Sequence, residues 1–187
     1  DTLYKEITDH FGYSTTIATT SAFIQQRSKI KAEAFEDIFR NFSTQSLCGN
    51  KLRILAIDGT DLHIPTNLDD ADSLYLGNSV QKSYNLLHLN ALYDIDQNIY
   101  LDAIIQKSRK SNEHKALTEM VDRSDIEQAL VIADRGYESY NNMAHIQEKG
   151  WKFLIRVKEG KYGICDELVL PSTDCFDFIV KLSLTRK

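Results

Sequence analysis

Proline is scarce in this chain, with two residues in 187, and glycine is limited to eight. With 42% hydrophobic residues, that composition excludes a disordered polypeptide. The three cysteines, Cys48, Cys165 and Cys175, are odd in number and widely spaced. They form no zinc or redox motif and are expected as reduced thiols of a cytosolic protein. No apolar run approaches the roughly 18 residues that span a bilayer, and no signal peptide opens the sequence. A membrane role is therefore not expected, and the localisation implied is cytoplasmic. Internal repeats and low-complexity segments are absent too. The first residue is Asp1 rather than Met, so a piece of a longer protein is expected.

What is present is enough chain for one well-packed α/β domain and a smaller appendage. The net charge of −5 argues weakly against a nucleic-acid partner, but a local face decides that question, not the sum. Acids gather from Asp58 to Asp72, and bases at Lys107–Lys115 and Lys149–Lys161. An acidic centre with basic flanks suits an enzyme that holds metal ions and grips phosphates beside them. Ordinary solvated faces give the same pattern.

Residues 20–47 read as helical, with Phe35, Ile38, Phe39 and Phe42 spaced to share one face and a capping cluster at Thr19-Thr20-Ser21. Cys48-Gly49-Asn50 breaks the pattern. Arg53–Asp58 is an apolar run ending on an acid, a central strand that continues through Leu62-His63-Ile64 until Pro65. Tyr84–Ile105 holds two β-rich runs around the polar turn Asp94–Asn98, a long hairpin. A helix with Asn112 as N-cap should bury Ala116, Leu117, Met120 and Val121. Ala129–Asp134 is a second apolar run ending on an acid. A helix over Ser139–Lys149, stopped by Gly150, and a strand over Trp151–Lys158 follow. Beyond Gly163, Phe176, Phe178, Val180, Leu182 and Leu184 alternate with polar neighbours, as in a strand with one wet face. The order predicts an α/β fold with an RNase H-like mixed sheet, three antiparallel strands and then alternating helices and parallel strands. An N-terminal helical segment (1–50) precedes the core (51–161), and residues 162–187 open a β-rich insertion.

Asp58 and Asp134 each follow an apolar strand and precede a glycine-containing turn. Parallel neighbouring strands lie about 4.8 Å apart, so their carboxylates would converge at the carboxyl edge of the sheet. Such close like charges call for a proton or a cation between them, and hard oxygen donors favour Mg²⁺ or Mn²⁺. The alternative is that each Asp merely caps a turn. Asp58-Gly59-Thr60 also suggests a haloacid-dehalogenase-like phosphatase, but Ala56 stands where that chemistry needs its nucleophilic Asp.

Several stretches carry a resemblance: Leu55–Leu62, His88–Asp94, Asn112–Ala116, Ile132–Ser139 and Gly150–Lys158. From about Ser21 to Lys161 the chain resembles insertion-sequence transposases of the DDE group with a Tyr-Arg-Glu-Lys signature, insertion sequence family four. The resemblance implies a bacterial enzyme that cuts and joins DNA with two metal ions, in which Asp58 and Asp134 are the first two catalytic acids and metal ligands. It implies double-stranded DNA partners, namely transposon terminal repeats and target DNA, and a homodimer in a synaptic complex. The family's third acid, a Glu in the signature, has no match here, so the chain is expected to end before it and to be inactive alone.

Arg135, Lys107, Arg109, Lys110, Arg156, Lys158 and Lys161 are candidate phosphate contacts. Asp61 reads as a surface turn residue, His88 and His114 as structural, and Glu113 as an acid favoured at a helix N-terminus, though it could mimic the helix-borne Glu of RNase H enzymes. Tyr137 should pack on its turn and Trp151 in the core. Two further readings stay open: an RNase H-like nuclease that cuts without joining, and a non-catalytic remnant that binds DNA.

Overall fold

The computed structural model describes residues 2–14, 16–27, 29–45, 52–158, 163–166, 168–173, 175–177 and 179–181. The chain divides into two compact units, Asp1–Phe42 and Ser43–Lys187.

The first unit is helical. It contains α1 (Thr2–Phe11), which the sequence reading did not anticipate, then α2 (Thr20–Arg27) and most of α3 (Ala32–Gln45). Thr19 caps α2 as expected, its hydroxyl accepting the Ala22 N–H at 3.2 Å. The helical spacing on α3 is real, but Phe35, Ile38 and Phe42 are exposed. The expected break at Cys48-Gly49-Asn50 lies outside the described residues.

The second unit is built on a mixed sheet. Strand β1 (Arg53–Ile64) is long and uninterrupted until Pro65. A short β2 (Leu74–Tyr75) follows, then the hairpin of β3 (Tyr84–Asp94) and β4 (Ile99–Lys107). Helix α4 (Glu113–Arg123) leads to β5 (Ala129–Ala133), α5 (Tyr140–Glu148) and β6 (Lys152–Ile155). The order across the sheet is β2-β3-β1-β5-β6, with β4 also paired to β3. β4, β3 and β1 run antiparallel, whereas β1, β5 and β6 are parallel. This mixed α/β sheet is compatible with the RNase H-like fold expected from the sequence.

Burial follows the sequence pattern closely. Leu55, Ile57, Leu92, Val131 and Ala133 present one sheet face to the apolar stripe of α4, where Ala116, Leu117, Met120 and Val121 are fully buried. The Asn112 side chain caps α4 by accepting the Lys115 N–H at 2.9 Å, and Ser139 caps α5 in the same manner. Gly150 ends α5 at φ +81°, a conformation that favours glycine. Trp151 is 3% exposed and donates its ring N–H to the Ile126 carbonyl at 2.9 Å.

Two expectations change. Strand β6 is four residues rather than eight, since Arg156 to Lys158 leave the ladder after the Arg156 N–H reaches the Ala133 carbonyl. Residues 175–177 and 179–181 form no strand, despite their alternation, while Phe178, Leu182 and Leu184 lie outside the described residues. Alternation supplies a wet and a dry face but no ladder partner, and an unpaired strand is not stable in water. Cys165 and Cys175 are free thiols, and Cys48 is not among the described residues. No helix among the described residues is long and apolar enough to cross a membrane.

Candidate active site

The β1–β5 register sets the site. Ile57 stands opposite Ala133, so the next residue on each chain is an aspartate, Asp58 and Asp134. Both are exposed. The Asp58 carboxylate accepts the Gly59 N–H at 2.9 Å, and the Asp134 carboxylate accepts the Gly136 N–H at 2.6 Å, capping the 3₁₀ turn Arg135–Tyr137. Asp134 therefore caps a turn, whereas Asp58 stands within β1, which runs on past Gly59 to Ile64 and makes no turn there. One carboxylate can accept several hydrogen bonds, so capping leaves oxygen lone pairs over for other work.

Tyr137 is the last residue of that 3₁₀ turn. It is 1% exposed and its hydroxyl donates to Asn90 Oδ1 at 2.9 Å, tying the 3₁₀ turn to β3. Burial first, and then the negative charges of Glu113, Asp58 and Asp134, raise the phenol above its ordinary value of 10.0. Because the folded value is raised, the stabilisation is complete below the unfolded value and is lost as pH climbs past it. Tyr137→Phe should therefore flatten the alkaline loss of stability above about pH 10, measured as denaturation midpoints for both chains.

Glu113 occupies an unexpected place. Asn112 already caps α4, and the Glu113 carboxylate turns toward the sheet. Oε1 lies 3.2 Å from His88 Nε2, whose other ring nitrogen is 2.8 Å from Asp61 Oδ1. Asp61 is thus a strand residue on β1 paired across from His88, not a turn residue. His88 is 12% exposed, and its Nε2 is buried without a hydrogen bond of good geometry. A Cβ at Gly59 would meet Glu113 Oε1 at 2.9 Å, and one at Gly136 would meet Glu113 Oε2 at the same distance. Gly59 within β1 and Gly136 in the 3₁₀ turn leave room for this side chain. Sequence alone could show Glu113 at a helix start, but not that the helix start faces Gly59 of β1 and the turn after β5.

A family model described as a transposase DDE domain matches residues 49–164. The chain belongs to that family. No curated protein matches it, and no solved structure matches it. Membership makes this a transposase domain, and Asp58 and Asp134 both lie within the matched stretch.

The candidate phosphate contacts of this transposase domain separate into two kinds. Lys107 pairs with Asp70 at 2.6 Å and Lys110 with Asp72 at 2.8 Å, so the acidic and basic clusters partly neutralise each other. The Lys107 hydrogen bond holds the Asp70 carboxyl below its usual range. Arg109 donates to the Leu74 carbonyl at 3.1 Å and lies over the Tyr75 ring. Lys158 is 3.9 Å from Glu138. Arg135 and Arg156 are exposed and have no ion-pair partner among the described residues. Lys161 lies outside them. His114 has a structural role, its Nδ1 meeting the buried Asn142 amide at 2.9 Å.

The site's donors are hard carboxylate oxygens, the chemistry that suits Mg²⁺ or Mn²⁺. Among the described residues, however, no group of three or more His, Cys, Asp or Glu side chains is arranged around one point that could hold an ion.

Proposed function

We propose that this chain carries the catalytic core of an insertion-sequence DNA transposase of the Tyr-Arg-Glu-Lys group. In this reading Asp58 and Asp134 are catalytic residues that hold divalent Mg²⁺ or Mn²⁺ beside a scissile phosphate. The observation that carries it is the parallel β1–β5 register, which brings both aspartates to adjoining positions within a transposase DDE domain. The bound cations would supply the positive charge that an in-line displacement at phosphorus requires. The protein's part is to hold the two acids on β1 and just past the end of β5, each carboxylate accepting a backbone N–H. Arg135 and Arg156, with no acid to occupy them, would grip backbone phosphates, and Lys107, Arg109, Lys110, Lys158 and Lys161 would add charge around them. The DNA partners are the element's terminal repeats and its target, held by a homodimer.

No stretch of the 187 residues matches the Tyr-Arg-Glu-Lys signature. The isolated chain is therefore expected neither to nick nor to join DNA with Mg²⁺. The decisive experiment places a marker in the DNA element that carries the coding sequence and follows it in cells. Marker joined to new sites is the expected result. Cleavage without joining would favour the RNase H-like nuclease reading, and neither product would favour a DNA-binding remnant.

A further inference from the structure

We propose that His88 and Glu113 are positioning residues for Asp134, joined by one proton held between them and acting on the Arg135–Tyr137 turn. This inference rests on the preceding reading of Asp134 as a catalytic acid. It concerns the α4 face of the sheet alone. Asp58 lies on the other face of β1, where it lines a pocket with Ala56, Thr60, Ala91 and Tyr93.

Both nitrogens of the His88 ring face carboxylates. Nδ1 lies 2.8 Å from Oδ1 of Asp61, its partner across the β1–β3 ladder, and Nε2 lies 3.2 Å from Glu113 Oε1. An ionised carboxylate only accepts, so the ring donates from Nδ1 to Asp61. A neutral imidazole has one N–H, and placing it there turns the Nε2 lone pair toward the Glu113 oxygen. Nε2 is buried, and among the described residues it has no hydrogen bond of good geometry. A lone pair set against an anion away from water is costly. One proton between the two atoms removes the conflict.

The pair sits where no side chain fits between its members. A Cβ on Gly59 would stand 2.7 Å from His88 Nε2 and 2.9 Å from Glu113 Oε1, so a larger residue there would wedge the two apart. The start of α4 is moored beside them. Gln106, opposite His88 on β4, accepts the Asn112 N–H at 2.9 Å and so fixes the residue before Glu113. The Ser108 hydroxyl donates to Asp61 Oδ1 at 3.3 Å and supports the far end of the chain. Glu113 in turn meets the turn that carries Asp134. Its Oε2 lies 2.9 Å from where a Gly136 Cβ would sit, and Gly136 donates its N–H to Asp134 Oδ1 at 2.6 Å. Asp134 Oδ1 is equally close to that point, so like charge would drive an unheld Glu113 away from the turn. With Oε1 held by His88, Oε2 stays against Gly136 and sets how near the turn comes to α4.

Two measurements test this. The backbone N–H resonance of Gly136 in the isotopically labelled 187-residue chain reports the turn without turnover, and transposition of the marked element reports function. Glu113→Ala should shift the Gly136 resonance and lower transposition by about tenfold or more, as should His88→Phe. Glu113→Gln keeps the length of the side chain and brings its own amide N–H to the Nε2 lone pair. Both measurements should then stay close to those of the unsubstituted protein. Glu113 is partly exposed, so Glu113→Ala is expected to fold even where His88→Phe does not, and melting temperatures check this. If Glu113→Gln behaves as Glu113→Ala does, the charge matters in itself and the shared proton is overturned. An unmoved Gly136 resonance in Glu113→Ala removes the positioning role. A shifted resonance, with no transposition by the unsubstituted element, keeps the His88–Glu113 link and removes the catalytic reading of Asp134.

Discussion

Asp134→Asn should reduce transposition of a marked element by about a thousandfold or more while leaving the fold intact. The substitution is chosen because it separates two jobs of one side chain. Asn keeps an oxygen that can accept the Gly136 N–H, so the cap on the Arg135–Tyr137 turn survives. What disappears is the negative charge, and with it the capacity to hold a hard cation. Asp58→Asn has the same logic, since the Gly59 N–H contact also needs only an oxygen. The double substitution should be scarcely worse than either single one, because residues that act as a unit lose their effect together. Asp61→Asn, which leaves Asp58 and Asp134 in place, is the comparison and should cost far less. Transposition frequency measured beside thermal melting decides the matter. Activity of Asp134→Asn within about tenfold of the unsubstituted protein would remove Asp134 from the catalytic machinery.

The elements that position these acids were legible in the sequence because each was marked twice. β1 carried an apolar run and a closing proline; α4 carried a capping Asn and four apolar residues at helical spacing, all now buried. β5 and α5 were signalled in the same way, by an apolar run into Asp134 and by Gly150. Single signals misled. The stripe on α3 is exposed at Phe35, Ile38 and Phe42, since amphipathic spacing states which residues share a face and not what covers it. Alternation beyond Gly163 likewise lacked a partner strand among the described residues. α1 escaped notice because its apolar residues are few, with Ile7 its one buried aliphatic side chain.

The site was half legible. Asp58 and Asp134 each ended an apolar run, and the parallel register followed from the order of the elements. The surroundings were not, because they depend on contacts distant in sequence. Asp61 and His88 are 27 residues apart and meet through the β1–β3 ladder. Glu113 meets Gly59 and Gly136 only because α4 starts beside the middle of β1 and the turn after β5. The ion pairs of Lys107 and Lys110 with Asp70 and Asp72, which withdraw two bases from the phosphate candidates, are equally distant in the sequence.

Arg53→Ala is expected to be the most destabilising of the polar substitutions, by about 3–5 kcal/mol. Asp94 ends β3 and is 1% exposed. One of its carboxylate oxygens accepts the N–H groups of Asp96 and Gln97, each at 3.0 Å, which shapes the β3–β4 turn. The other meets the Arg53 guanidinium at 2.6 Å. Removing the cation leaves a buried carboxylate that cannot leave the turn, so desolvation falls on it without compensation. For a chain of this size the loss corresponds to a fall in melting temperature of roughly 10 °C or more. Arg53→Met combined with Asp94→Asn removes both charges and should recover much of the loss, which identifies an unpaired charge, rather than lost packing, as the cause. The catalytic geometry should survive below the lowered melting temperature. Leu55, Ile57, Val131 and Ala133 bury the same β1–β5 ladder that sets Asp58 beside Asp134, and Arg53 pairs only at its first rung. A cost below about 1 kcal/mol would mean that the pair behaves as an exposed one and that Asp94 is reached by water.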